Sequence, residues 1–322
     1  ILPSVLMGGT FPVLAQYVGK VHHRLASRGT ILYAANTLGA SLGAFLAGFY
    51  ILSTFGVKAT YYFAIILAAS IGVLAVILDR FPTYSKPFPE KDNNSGSYPP
   101  NKKSNAVSNW SSVKISQSKF VLLAFSSGLL ALSAETIWPR MFAQVLQNSV
   151  YSFSAILVVF LFALGFGGLL SHILVRISLP VNKVLLLLLF LGAITVGLSP
   201  VVFNTLTHNL EYLAPDASWL NYLWAVFKLS FLVVFFPTVI FGAVFPFLLK
   251  AVPVINQAPG KFVGKLVLFN SIGSTIGPLI IGFILLDAVG IWMSLKIVAL
   301  FYGVLALYMA YSPHFKGRLK WL

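Results

Sequence analysis

Residues 6–52 recur at 240–286, displaced by a constant 234 positions without a gap. The matched pairs are Pro3/Pro237, Gly8/Gly242, Phe11/Phe245, Pro12/Pro246, Leu32/Leu266, Asn36/Asn270, Gly39/Gly273, Gly43/Gly277, Gly48/Gly282, Phe49/Phe283 and Gly56/Gly290. What recurs is glycine, proline and asparagine, which set backbone shape and helix contact, rather than the leucines that any apolar stretch would share. The chain is therefore read as a duplicated structure, and each copy helps to interpret the other.

Both copies contain apolar runs that reach or exceed the ~20 residues needed to cross a bilayer. Hydrophobic residues make up 58% of the 322, charged residues only 9%, and the mean hydropathy is +0.89, a balance that does not fit a soluble surface. An all-α integral membrane fold is expected. The absence of cysteine excludes disulfides, thiolate metal sites and cysteine nucleophiles. No charged n-region precedes an h-region and cleavage site at the start, so no signal peptide is expected.

Residues 1–18 read as the second half of a helix, because Ile1 aligns with Phe235 inside the apolar run 220–249. Further spans are expected at 30–52, 59–78, 120–145, 151–175, 184–203, 219–249, 266–286 and 291–312, with a short turn around 53–56. Between 80 and 119 proline, serine, asparagine and lysine replace the apolar pattern, so this segment reads as a flexible polar linker or, alternatively, a regulatory segment. The expected division is 1–79 as the C-terminal part of a first six-helix half, 80–119 as the linker, 120–312 as a complete second half, and 313–322 as a basic tail.

The repeat joins the first span to the seventh, so both copies cross in the same direction, giving two parallel halves related by an axis along the membrane normal. About nine of an expected twelve spans are then present, with the first half starting roughly 115 residues before Ile1 in a longer protein. Charge placement gives an independent check: the segments 19–28, 79–119, 176–183, 250–265 and 313–322 carry 18 of the 22 Lys and Arg. Glu211, Asp216 and Asp287 fall in the opposite loops. The positive-inside rule puts the basic segments, linker and tail on the cytoplasmic face of a plasma membrane. The net charge of +15 is thus explained by topology, and no nucleic-acid partner is expected. The expected partners are the lipid bilayer and a small solute.

Polar groups inside spans are expensive and mark places that pair or do work. Glu135 and Arg140 stand five residues apart with Pro139 between them, as either a structural ion pair or a solute or proton site. Asn36 and Asn270 each precede a Gly-x-x-x-Gly pair (Gly39/Gly43 and Gly273/Gly277), so they either pack helices or line a pseudo-symmetric cavity. Gly8 with Pro12, and Gly242 with Pro246, are expected to kink two related helices. Lys228 and Lys296 are expected to snorkel along their alkyl stems, with Lys228 kept as a candidate site residue. His172 is read as structural. No His or carboxylate cluster has metal-ligand spacing, so no metal is expected, and no catalytic residue is assigned.

The segments 7–12 (Met-Gly-Gly-Thr-Phe-Pro), 32–40 (Leu-Tyr-Ala-Ala-Asn-Thr-Leu-Gly-Ala), Glu135-x-x-Trp-x-Arg140, and Tyr151-Ser-Phe-Ser-Ala155 before Gly165-Phe-Gly-Gly168 resemble the membrane portion of fused major-facilitator/spermidine-synthase-like proteins. The resemblance implies a major-facilitator-like region that either anchors a cytoplasmic aminopropyltransferase-like domain or moves a related solute. Decarboxylated S-adenosylmethionine would be a cofactor only of such a fused soluble domain, whose motifs do not occur in these residues. The competing readings are a self-standing secondary transporter and a structural membrane scaffold.

Overall fold

The structure, a computed structural model, describes residues 25–80, 117–176, 180–249 and 259–311. The expected span 1–18 with Gly8 and Pro12, nearly all of the linker, and the basic tail lie outside the described residues. The described residues are helical, with no strand among them. They form α1 (Leu25–Phe45) running into a π segment (Leu46–Ile51), α2 (Leu52–Arg80), α3 (Gln117–Phe142), α4 (Val150–Arg176) and α5 (Val181–Leu206). Next come α6 (Trp219–Ser230), a π segment (Phe231–Phe235), α7 (Phe236–Leu248), α8 (Pro259–Ile280), a third π segment (Ile281–Leu285) and α9 (Leu286–Ala310).

Among the described residues six stretches are long and apolar enough to cross a membrane: Ile31–Ile77, Gln117–Phe142, Val150–Val175, Val181–Leu206, Trp219–Leu248 and Phe262–Ala310. The first and last, at 47 and 49 residues, exceed one crossing of ~20 residues. Each is interrupted by a glycine outside helical space, Gly56 (φ 74°, ψ 174°) and Gly290 (φ 73°, ψ 177°). These two glycines are 234 residues apart and share a conformation that is essentially restricted to glycine. The same displacement maps 47–51 onto the π segment Ile281–Leu285. The duplication is therefore visible in backbone conformation as well as in residue type.

Helix starts differ from the apolar pattern where proline provides a local signal. α8 begins at Pro259, several residues before the apolar run, because a fixed φ and a missing N–H suit the first helical turn. α5 begins at Val181 behind an extended Pro180 (φ −60°, ψ 133°). α7 continues as α-helix through Gly242 and Pro246, flanked by the π segment before it and by a 3-10 turn at Leu249 after it.

The chain divides into two compact units, one of which takes 46–111 and the other the remainder. In the smaller unit, α2 exposes Tyr61, Ile66, Ile71 and Val76, an apolar surface suited to lipid. In the larger unit, α8 packs on α3, α1 on α4, α4 on α7, and α9 on α5 and α3. Small residues bring these backbones together. A side chain on Gly273 or Gly277 would strike the Phe125 or Leu129 carbonyl of α3. One on Gly242 would lie 2.5 Å from the Leu164 carbonyl of α4.

α1 and its counterpart in the second copy, α8, use opposite faces. α8 covers Gly273 and Gly277 against α3 and leaves Leu268, Ser271, Ile272 and Thr275 exposed. α1 covers Ala34, Thr37 and Ser41, and leaves Asn36, Gly39 and Gly43 exposed, with nothing among the described residues within 4 Å of where a side chain on either glycine would begin. The face open on one copy is the face covered on the other.

Candidate functional site

Leu132, Glu135, Thr136, Pro139 and Arg140 fall at i, i+3, i+4, i+7 and i+8, one face of α3. That face borders a cavity of about 440 Å³. Phe153, Ile156, Leu157 and Phe160 of α4 form the facing wall, and Val234 of the central π segment completes it. The size lies within the range of small-molecule sites, ~300–1,000 Å³.

Glu135 is half-buried, whereas Arg140 is exposed at the cavity edge. Among the described residues the two form no ion pair with each other or with another side chain. The Arg140 guanidinium passes α8's following π segment, 3.9 Å from where a side chain on Gly282 would begin. Thr136 Oγ1 donates to the Leu132 carbonyl at 2.8 Å. Pro139 has no N–H, so the Glu135 carbonyl four residues earlier loses its regular helical donor.

Trp138 ties the cavity to the core. It is fully buried, stacks on Phe241 at 6.2 Å (12°), and meets Phe160 at 6.2 Å (60°). Phe241 stacks in turn on Tyr302 at 4.8 Å (4°). Trp138 Nε1 donates to Ser199 Oγ at 3.3 Å. These contacts join α3, α4, α5, α7 and α9, and they fix the helix that carries Glu135 and Arg140.

The two asparagines differ. Asn270 Nδ2 donates to the Ala124 carbonyl at 3.0 Å, a bond across the α3–α8 contact. Asn36 is exposed on the open face of α1. Neither lines the cavity, and neither does Lys228, whose side chain is exposed on α6, nor Gly39, Gly43, Gly242, Pro246, Gly273 or Gly277. Lys296 is likewise exposed.

One polar cluster has no signature in the sequence. Tyr222 Oη accepts the Gln147 N–H at 2.9 Å and lies 3.0 Å from Ser152 Oγ, which is 3.1 Å from Ser149 Oγ. It locks the α3–α4 connection to α6. Its members lie 70 or more residues apart across that contact, so no local pattern marks them.

Residues 1–258 match the family model of the Major Facilitator Superfamily. The chain belongs to that superfamily. No curated protein and no solved structure matches it. Membership in the Major Facilitator Superfamily, together with the long apolar helices, makes the chain a multi-pass membrane protein with a transporter-like domain. Nothing in the Major Facilitator Superfamily match extends to a spermidine-synthase-like enzyme.

Proposed function

We propose that this protein is a secondary transporter that carries a small solute across the membrane by alternating access, with the cavity beside Glu135 and Arg140 as its binding site. The observation that carries the reading is an acid and a base on one helix face, bordering a cavity of about 440 Å³ and not paired with each other. Charged groups held unpaired at membrane depth are costly unless they serve a ligand or ion. An anchor for a soluble enzyme would need neither group, and the fused-enzyme reading rests on sequence resemblance alone.

The proposed architecture is two parallel six-helix halves. Its supports are the repeat at 234 residues, the matching Gly56 and Gly290 conformations, and the matching π segments. In this arrangement the open face of α1 receives a helix of α3's character, as Gly273 and Gly277 receive α3 itself. The basic segments, linker and tail face the cytoplasm.

The test is uptake by purified protein in liposomes against a mixed panel of labelled small solutes. Glu135→Gln and Arg140→Gln should each lower uptake at least tenfold while insertion and helical content stay unchanged. Wild-type uptake in both variants would remove this cavity from the mechanism.

A further inference from the structure

We propose that the cavity accepts a zwitterion with an apolar body, its ammonium held at Glu135 and its anionic group at Arg140. The inference rests on the transport reading and names the class of solute.

The polar groups on the cavity face of α3 are segregated by hydrogen-bonding type. Around Glu135 they are acceptors: the carboxylate, the Glu135 carbonyl that Pro139 leaves without its helical donor, and the lone pairs of Thr136 Oγ1, whose own proton goes to the Leu132 carbonyl at 2.8 Å. Three acceptors and no free donor suit a primary ammonium, which offers three N–H donors. Arg140 supplies the reverse, a planar fork of donors with no acceptor, passing 3.9 Å from where a side chain on Gly282 would begin. Five residues of helix separate the two Cα atoms by about 7.5 Å along the axis.

The remaining walls decide between a zwitterion and a singly charged solute. Phe153, Ile156, Leu157, Phe160 and Val234 offer no charge, and Glu135 and Arg140 are the two ionisable residues of the lining. A cation alone would satisfy Glu135 and desolvate Arg140 without a partner, and an anion alone would do the converse. A solute carrying both charges compensates both residues, while its apolar body meets the aromatic and aliphatic walls.

The experiment uses purified wild-type protein and two sets of three probes, matched in body and differing in charge. L-phenylalanine, phenethylamine and 3-phenylpropanoate share one body, and L-leucine, isopentylamine and 4-methylpentanoate share another. Binding is read as ligand-induced thermal stabilisation in detergent, and transport as counterflow in liposomes. The expected result is that at least one amino acid binds at least tenfold more tightly than both of its singly charged analogues. Glu135→Gln should then move the preference toward the carboxylate probe, Arg140→Gln toward the amine, and Glu135→Asp should keep the wild-type order. Reciprocal shifts of this kind are not produced by general loosening of the fold. Equal binding of all three analogues, no binding of either amino acid, or no reciprocal shift overturns the zwitterion. If counterflow of another solute still depends on both residues, the transport reading stands while this inference falls; if no solute depends on either residue, both fall.

Discussion

Gly273 of α8 lies against the Phe125 carbonyl of α3 so closely that a methyl group on its Cα would overlap that oxygen. Its counterpart Gly39, at the same place in the first copy, meets nothing among the described residues within 4 Å. Gly273→Leu should therefore destabilise the protein by about 1–3 kcal/mol or more through overpacking, whereas Gly39→Leu should be near neutral in this chain. In a longer chain carrying the proposed helix against α1, the two substitutions should cost the same. Unfolding midpoints in detergent for both variants, in both chain lengths, decide the matter.

Asn270→Ala removes the 3.0 Å bond to the Ala124 carbonyl. A loss of about 0.6–2 kcal/mol is expected, in line with interhelical hydrogen bonds in membranes. Asn36→Ala, on an exposed face, should leave the same midpoint unchanged.

Gly56 and Gly290 hold a backbone conformation that a side chain disfavours, although neither has a neighbour among the described residues within 4 Å. Alanine at either position should cost about 1–3 kcal/mol from backbone strain alone. Equal losses at both sites would show that the two copies keep the same turn. Denaturant titration of each single variant and of the double variant measures this, and additive effects are expected if the two turns are independent.

Tyr222→Phe keeps the ring and removes the hydroxyl that accepts the Gln147 N–H at 2.9 Å and approaches Ser152 Oγ at 3.0 Å. The part-buried Gln147 N–H loses its protein partner, so a loss of about 0.5–1.5 kcal/mol is expected. Faster hydrogen exchange at Gln147 and Ser152 than in the wild type would localise the effect; unchanged exchange there would mean that the cluster does not lock the α3–α4 connection.

The long apolar helices among the described residues were legible because roughly 20-residue apolar runs leave few alternatives in a bilayer. The turn at 53–56 and its partner at Gly290 were legible because glycine recurred at a fixed displacement. Helix faces were less so. Asn36 and Asn270 carry the same sequence signal, yet one reaches across to Ala124 and the other is exposed, because the packing partner determines which face is used. The cavity was half legible: Glu135, Pro139 and Arg140 stood out as rare polar or helix-breaking residues in an apolar run. Its facing wall on α4 is apolar and has no signature, and the π segment carrying Val234 cannot be told from ordinary helix by hydropathy.

Ser41 Oγ donates to the Val158 carbonyl at 3.0 Å, a bond that spans 117 residues of chain. A ribosome adding about 5–20 residues per second needs roughly 6–23 s to make the intervening segment. During that time α1 is already in the bilayer with its α4-binding face turned toward lipid. Helix insertion and helix assembly are thus separate events in this protein's synthesis, and a mutation on that face can slow maturation without altering the topology already established.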